Sequence, residues 1–238
     1  MSRQALHPRD ASRDQRVHGI FGRHPSAVLL GMQLVAVLAY PFLQDSALGR
    51  AVIGVVQIGV VTIAVWAVRR TPALNWSAAF LGVPAIVFTV LEAIWPHIDW
   101  IVLVSACLHA PFYFYVSYAL IRYLFHDDRV TTDELYATGA AFTVVAWGFA
   151  YLYAAVQVVF EGSFIGTTSA EDRSWFELLY LSFSVLTSVG LSDVVPVEPH
   201  ARALVMVEMV AGVLYVALVV SRLVGLVVRR TAPQPDQD

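Results

Sequence analysis

The 238-residue chain has no lysine, one cysteine and few charges of any kind: charged residues make up 14% against 58% hydrophobic. Each shortage excludes something. A soluble domain carries about 25% charged and 45–50% apolar residues, so this composition and a mean hydropathy of +0.66 place the chain among membrane proteins. A net charge of -3 gives no reason to expect nucleic acid as a partner. Cys107 alone cannot close an intrachain disulfide, and its place in an apolar run reads as a buried free thiol. Catalytic patterns are missing too. No Gly-x-Ser-Gly lies within a span, no histidine occurs in the last span, and there is no His-x-x-x-His or Glu-x-x-His pair. An enzyme is therefore not expected, and no cofactor is.

What the chain does have is long apolar runs. A bilayer crossing needs about 20 apolar residues, and six segments reach that scale: Ser26–Leu43, Ala51–Val68, Trp76–Trp95, Trp100–Phe125, Leu135–Phe160 and Ala203–Val228. A seventh stretch, Trp175–Leu186, is too short to span and reads as re-entrant or interfacial. The expected fold class is an all-α membrane protein with six transmembrane helices and a re-entrant helix with its loop between the fifth and sixth. Four parts follow: an N-terminal tail over 1–25, a four-helix region over 26–126, a second half over 127–230 and a C-terminal tail over 231–238. Both tails are short, so no cytoplasmic ligand-binding domain is expected.

Arginine placement sets the orientation. Arg3, Arg9, Arg13, Arg16, Arg23, Arg69, Arg70, Arg122, Arg129, Arg229 and Arg230 all fall on one face if six spans are threaded. The positive-inside rule makes that face cytoplasmic, with both termini inside a cell membrane. The fourth span holds only Arg122, near its inner end, so it is no voltage sensor. His109 lies mid-span among Ser105, Tyr113 and Tyr115 and reads as a packed histidine with hydroxyl partners. Two capping-box spacings mark helix starts: Thr131-Thr132-Asp133-Glu134 before the fifth span and Ser174-Trp175-Phe176-Glu177 before the short stretch.

The segment after that short stretch is Thr187-Ser188-Val189-Gly190-Leu191-Ser192-Asp193. A helix running from Ser174 to Thr187 would aim its negative dipole end at a cation near the membrane centre. The extended backbone beyond it is tolerable at that depth only if its carbonyls line an ion- or water-filled path. Glu208, one turn before Gly212 in the sixth span, needs a hydrogen-bond partner or a proton. It reads either as a brace to Ser184 or Thr187 behind the short helix, or as a group that tunes the loop or senses protons.

Those residues carry a resemblance. The stretches Tyr180-Leu181-Ser182-Phe183-Ser184-Val185-Leu186-Thr187-Ser188-Val189-Gly190 and Asp193-Val194-Val195-Pro196-Val197 resemble the pore of bacterial potassium channels with a two-helix pore domain, as do Ala201-Arg202-Ala203-Leu204 and the run from Leu214 to Leu226. The first ~125 residues match only in layout. The resemblance implies a homotetramer that passes potassium or another monovalent cation, with Ser188, Val189, Gly190 and Leu191 supplying filter carbonyls. It implies that Tyr180 bonds Asp193 and that Gly212 is a gating hinge; the brace between Glu208 and Ser184, read from the buried charge itself, would support that filter.

The chain departs from the family pattern T-x-G-[YF]-G-D at two places. Ser192 stands where a second glycine takes a conformation L-residues resist, which implies strain there or a turned peptide. Leu191 replaces the bracing aromatic and fills volume without a hydrogen bond. The single glycine also resembles a loop of Trk/Ktr-type potassium transporters. A channel weakly selective among sodium and potassium is the alternative reading, and a small secondary transporter a more distant one.

Overall fold

A computed structural model describes residues 25–44, isolated positions from 46 to 59, and residues 75–95, 98–124, 132–167 and 172–231. The described elements are α1 (Pro25–Leu43), α2 (Asn75–Ile94), α3 (Asp99–Leu124), α4 (Thr132–Val159), β1 (Phe164–Ile165), α5 (Trp175–Leu186), β2 (Val195–Pro196) and α6 (Pro199–Thr231). Among the described residues, four helices are long and apolar enough to cross a membrane: Ser26–Leu43, Asp99–Arg122, Leu135–Val159 and Pro199–Arg222. The expected third span coincides with the helix α2, whose apolar stretch Phe80–Ile94 is shorter than a full crossing. The expected second span, Ala51–Val68, lies almost wholly outside the described residues, as do both tails beyond Pro25 and Thr231.

The core forms where small residues let helices approach. Ala106, Ala110 and Ala119 of α3 share one buried cluster with Ala137, Ala140, Ala141, Val144 and Trp147 of α4. With little surface to drive association in lipid, such small-residue seams let dispersion and backbone proximity hold helices together. Cys107 faces the other way and is exposed, not buried as expected. It sits next to the Ala106 seam, so one step along the helix turns its thiol about 100° away.

Aromatic rings fasten α5 to this core. Trp147 of α4 meets Trp175 edge-on at 5.4 Å, and Tyr40 of α1 stacks on Phe176 at 4.6 Å. On the loop side a two-stranded antiparallel pairing, absent from the all-α expectation, joins Phe164 to Pro196 and Ile165 to Val195. Val197 N–H donates to the Ser163 carbonyl at 2.9 Å, and Arg202 Nε to the Pro196 carbonyl at 3.2 Å. Gln157 exchanges two bonds with the Arg173 backbone, at 2.8 and 3.0 Å. The segments on either side of α5 and its following loop are thereby pinned to the ends of α4 and α6.

The two expected caps fare differently. Ser174 caps α5 with both halves of the capping box made: Glu177 N–H donates to Ser174 Oγ, and Ser174 N–H to Glu177 Oε2 at 2.7 Å. Thr131 lies outside the described residues. Asp133 does more than sit in the first turn of α4. Its carboxylate accepts from Ser26 N–H at 3.2 Å and from Ser26 Oγ at 3.0 Å. One carboxylate thus serves the N-terminal turns of α1 and α4, both rich in unpaired N–H groups, and holds those two ends at the same end of the bundle.

Asp133→Ala should lower stability by about 1–2 kcal/mol, the scale of a lost charged cap. Asp133→Asn should recover most of that loss. Thermal unfolding in detergent, with the two variants compared, measures it; equal losses would mean that charge, not acceptance from Ser26, is what counts.

Candidate functional site

The loop after α5 is shaped by how α5 ends. Thr187 closes the helix in a helical conformation and Ser188 follows with φ +59°, the only non-glycine with positive φ among the described residues. Ser188 N–H donates to the Val185 carbonyl at 2.9 Å and Val189 N–H to the Ser184 carbonyl at 3.1 Å. This is the two-bond Schellman ending, with a serine in the left-handed position that glycine usually fills. Gly190 N–H also reaches the Ser184 carbonyl at 3.1 Å, and Gly190 itself has φ +69°. The backbone strain expected at Ser192 falls instead at Ser188. Ser192 has an ordinary φ, and its Oγ accepts from Val194 N–H at 3.1 Å.

The consequence is a division of the loop's polar groups. The N–H groups of Ser188, Val189 and Gly190 are all folded back onto α5. Among the described residues no hydrogen bond ends on the carbonyls of Ser188, Val189, Gly190 or Leu191. Thr187 Oγ1 donates to the Phe183 carbonyl at 2.6 Å and so caps its own helix. Four carbonyls therefore remain free on a segment whose side chains stand clear of the chain: Val189 and Leu191 are each 68% exposed. Leu191 does not fill the space behind the loop as the resemblance implied. Tyr180 is partly exposed, and among the described residues it makes no hydrogen bond to Asp193. It lies on the face of α5 opposite the buried Leu178, Leu181 and Ser182.

Behind the loop, α6 touches α5 at two points. Glu208 is fully buried, and its carboxylate accepts from Ser182 Oγ on α5 and from Tyr153 O–H on α4. It does not reach Ser184 or Thr187, the partners expected for it. Ser184 Oγ is buried without a partner among the described residues, and Ser184 contributes its carbonyl instead. Ser182 Oγ also lies 2.9 Å from the Ala146 carbonyl, which links the cluster to α4. Sequence reasoning missed Ser182 and Tyr153. Spacing within one helix carries no signal for either, because the contact depends on which faces of α4, α5 and α6 meet.

The second point is Gly212. A Cβ there would come within 2.2 Å of the Leu186 carbonyl oxygen and 3.0 Å of its carbon. Gly212 is buried inside a continuous α6 helix. Its lack of a side chain serves a close helix approach, a function distinct from the expected hinge. Glu208 and Gly212 are one turn apart on α6, and Ser182 and Leu186 one turn apart on α5, so the two contacts keep one register.

Residues 138–229 match the family model described as an ion channel. The matched stretch takes in α5, the loop after it, most of α4 and nearly all of α6. An ion-channel family is not an enzyme class. No curated protein and no solved structure matches the chain.

Two substitutions test the α5–α6 register. Gly212→Ala should cost about 1–3 kcal/mol by forcing the helices apart, and Tyr153→Phe about 1–3 kcal/mol by removing one donor from a buried carboxylate. Chemical or thermal unfolding in detergent measures both. A neutral Gly212→Ala would show that the approach relaxes freely.

Proposed function

We propose that the chain is the pore-forming subunit of a homotetrameric channel for passive potassium conduction. The loop from Thr187 to Asp193 acts as its filter, in a cell membrane with both termini cytoplasmic and with lipid and copies of itself as partners. The observation that carries the reading is the set of free carbonyls at Ser188, Val189, Gly190 and Leu191, left over once the loop's amides are folded onto α5. Free carbonyls inside a bilayer are tolerated only where they face water or ions, and a ring of them replaces the hydration shell of a monovalent cation. One chain supplies one such edge, and closing a ring around an ion requires several. The carbonyl end of α5 adds the negative end of its dipole.

Other observations agree. The ion-channel match supplies the class. The Ser26–Asp133 bonds bring the N-terminal ends of α1 and α4 together, as six spans with a re-entrant α5 require of the first and fifth. The outward face of α6 carries Met206, Val207, Val210, Val213 and Leu214, which suits contact with lipid or a neighbouring subunit.

The second reading is weak selectivity among monovalent cations. It is favoured by Leu191, which is exposed and offers no brace to the filter from within its own chain.

Planar-bilayer recordings with potassium on one side and sodium on the other, together with native mass spectrometry, decide between these. A tetramer whose reversal potential lies near that of potassium is expected; a stable monomer without current would overturn the channel reading. Leu191→Tyr should raise potassium preference roughly fivefold, the worth of one net hydrogen bond of about 1 kcal/mol. Ser192→Gly alone should not, because the structure holds no strain at Ser192 to relieve. Equal gains from both would mean that the outer filter is strained after all.

A further inference from the structure

Away from the loop, the first half of the protein holds a buried polar chain that conduction does not explain. His109 of α3 is fully buried. Its Nδ1 lies 2.8 Å from the Ser105 carbonyl, and its Nε2 lies 2.9 Å from Thr89 Oγ1 of α2. Ser105 Oγ donates to Glu92 Oε2 at 2.5 Å and stands 3.2 Å from His109 Nδ1. Thr89 Oγ1 also has the Ala85 carbonyl at 2.9 Å.

Counting protons shows what this arrangement permits. The Ser105 carbonyl can only accept, so Nδ1 carries a hydrogen. With the ring neutral, Nε2 accepts and Thr89 turns its hydroxyl hydrogen toward it. With a second proton on Nε2 the ring donates to Thr89 Oγ1, and the Thr89 hydrogen turns to the Ala85 carbonyl instead. Both protonation states are fully hydrogen-bonded, and switching between them needs only a hydroxyl rotation. When ionised, Glu92, one hydroxyl away through Ser105, supplies the counter-charge for the positive ring.

The geometry points to a proton-binding site formed by Glu92, Ser105, His109 and Thr89, whose occupancy sets how firmly α5 is packed. The link is a run of rings. His109 stacks on Tyr151 of α4 at 4.5 Å and 11°, and Tyr151 lies 5.5 Å from Trp175, the first residue of α5. A positive imidazole binds the π face of Tyr151 more strongly than a neutral one, so acid tightens the stack. The other titratable groups facing the site are Tyr113 on α3 and Tyr151 on α4, with Tyr40 on α1 next to Glu92 and to Glu177 of α5. This gives the first half of the chain a regulatory role on the channel reading, but the site itself does not depend on conduction.

Hydrogen exchange of the full-length protein in nanodiscs tests it without any current. Protection factors of the α5 amides, corrected for intrinsic rates, are compared between about pH 7.5 and about pH 3.5, a window wide enough to include a buried histidine, which titrates below the ordinary range. The wild type should gain protection at acid pH by about threefold, the scale of a weak cation–π gain. His109→Gln keeps a donor and an acceptor but binds no proton, and should lose this response. Glu92→Gln should shrink it. A pH-independent wild type, or a His109→Gln variant that responds as the wild type does, would overturn the proposal. Bilayer recordings of the same samples report separately on whether the protein conducts at all.

Discussion

The position of the loop depends on the contact between α5 and α6. A 12-residue helix is marginal on its own, because helix nucleation is costly and short helices repay it poorly. Its capping box, the Trp175 and Phe176 ring contacts and the Ser182–Glu208 hydrogen bond hold α5 in place. The Leu186–Gly212 approach then fixes how deeply α5 seats against α6. Since the amides of Ser188, Val189 and Gly190 bond directly to the last turn of α5, the loop inherits its position. A buried carboxylate in this role looks expensive. Two hydroxyl donors aimed at it, from two different helices, offset that cost and make it directional.

Ser188 shows how local and global demands meet. A serine in left-handed conformation costs about 1 kcal/mol or more relative to glycine. It persists because the surrounding structure over-determines it: two backbone bonds close the helix end, and a third brings Gly190 onto the same Ser184 carbonyl. Strain of this kind gathers where geometry matters more than stability. Here its effect is to turn the chain so that amides face inward and carbonyls outward.

The architecture around the site was legible because it rests on periodicity and on short patterns with local causes. Apolar run lengths marked α1, α3, α4 and α6, and Ser174-x-x-Glu177 announced the start of α5 directly. Side-chain partnerships were less legible, because they depend on which helical face turns toward which neighbour. Glu208 stood out as a buried charge, yet Ser182 and Tyr153 are its partners because two helices cross at that height, which spacing within one helix cannot reveal. The same holds for Asp133, whose partner Ser26 lies 107 positions away in the chain. Ser188 was missed because attention fell on the position where a second glycine was lacking; the turn that α5 needs to end comes four residues earlier.

Glu208 and Glu92 are held in different ways. Glu208 is tied from both sides by hydroxyls that come from the helices it must hold, and its geometry resists change. Glu92 is reached through a single serine hydroxyl, beside a histidine whose partners can exchange roles at little cost. The first arrangement suits a fixed support behind the loop. The second suits a group that changes state, placed two ring contacts from the start of α5. The capping box at Ser174 is made within the start of α5, so the N-terminal turn keeps its own hydrogen bonds in either state of that group.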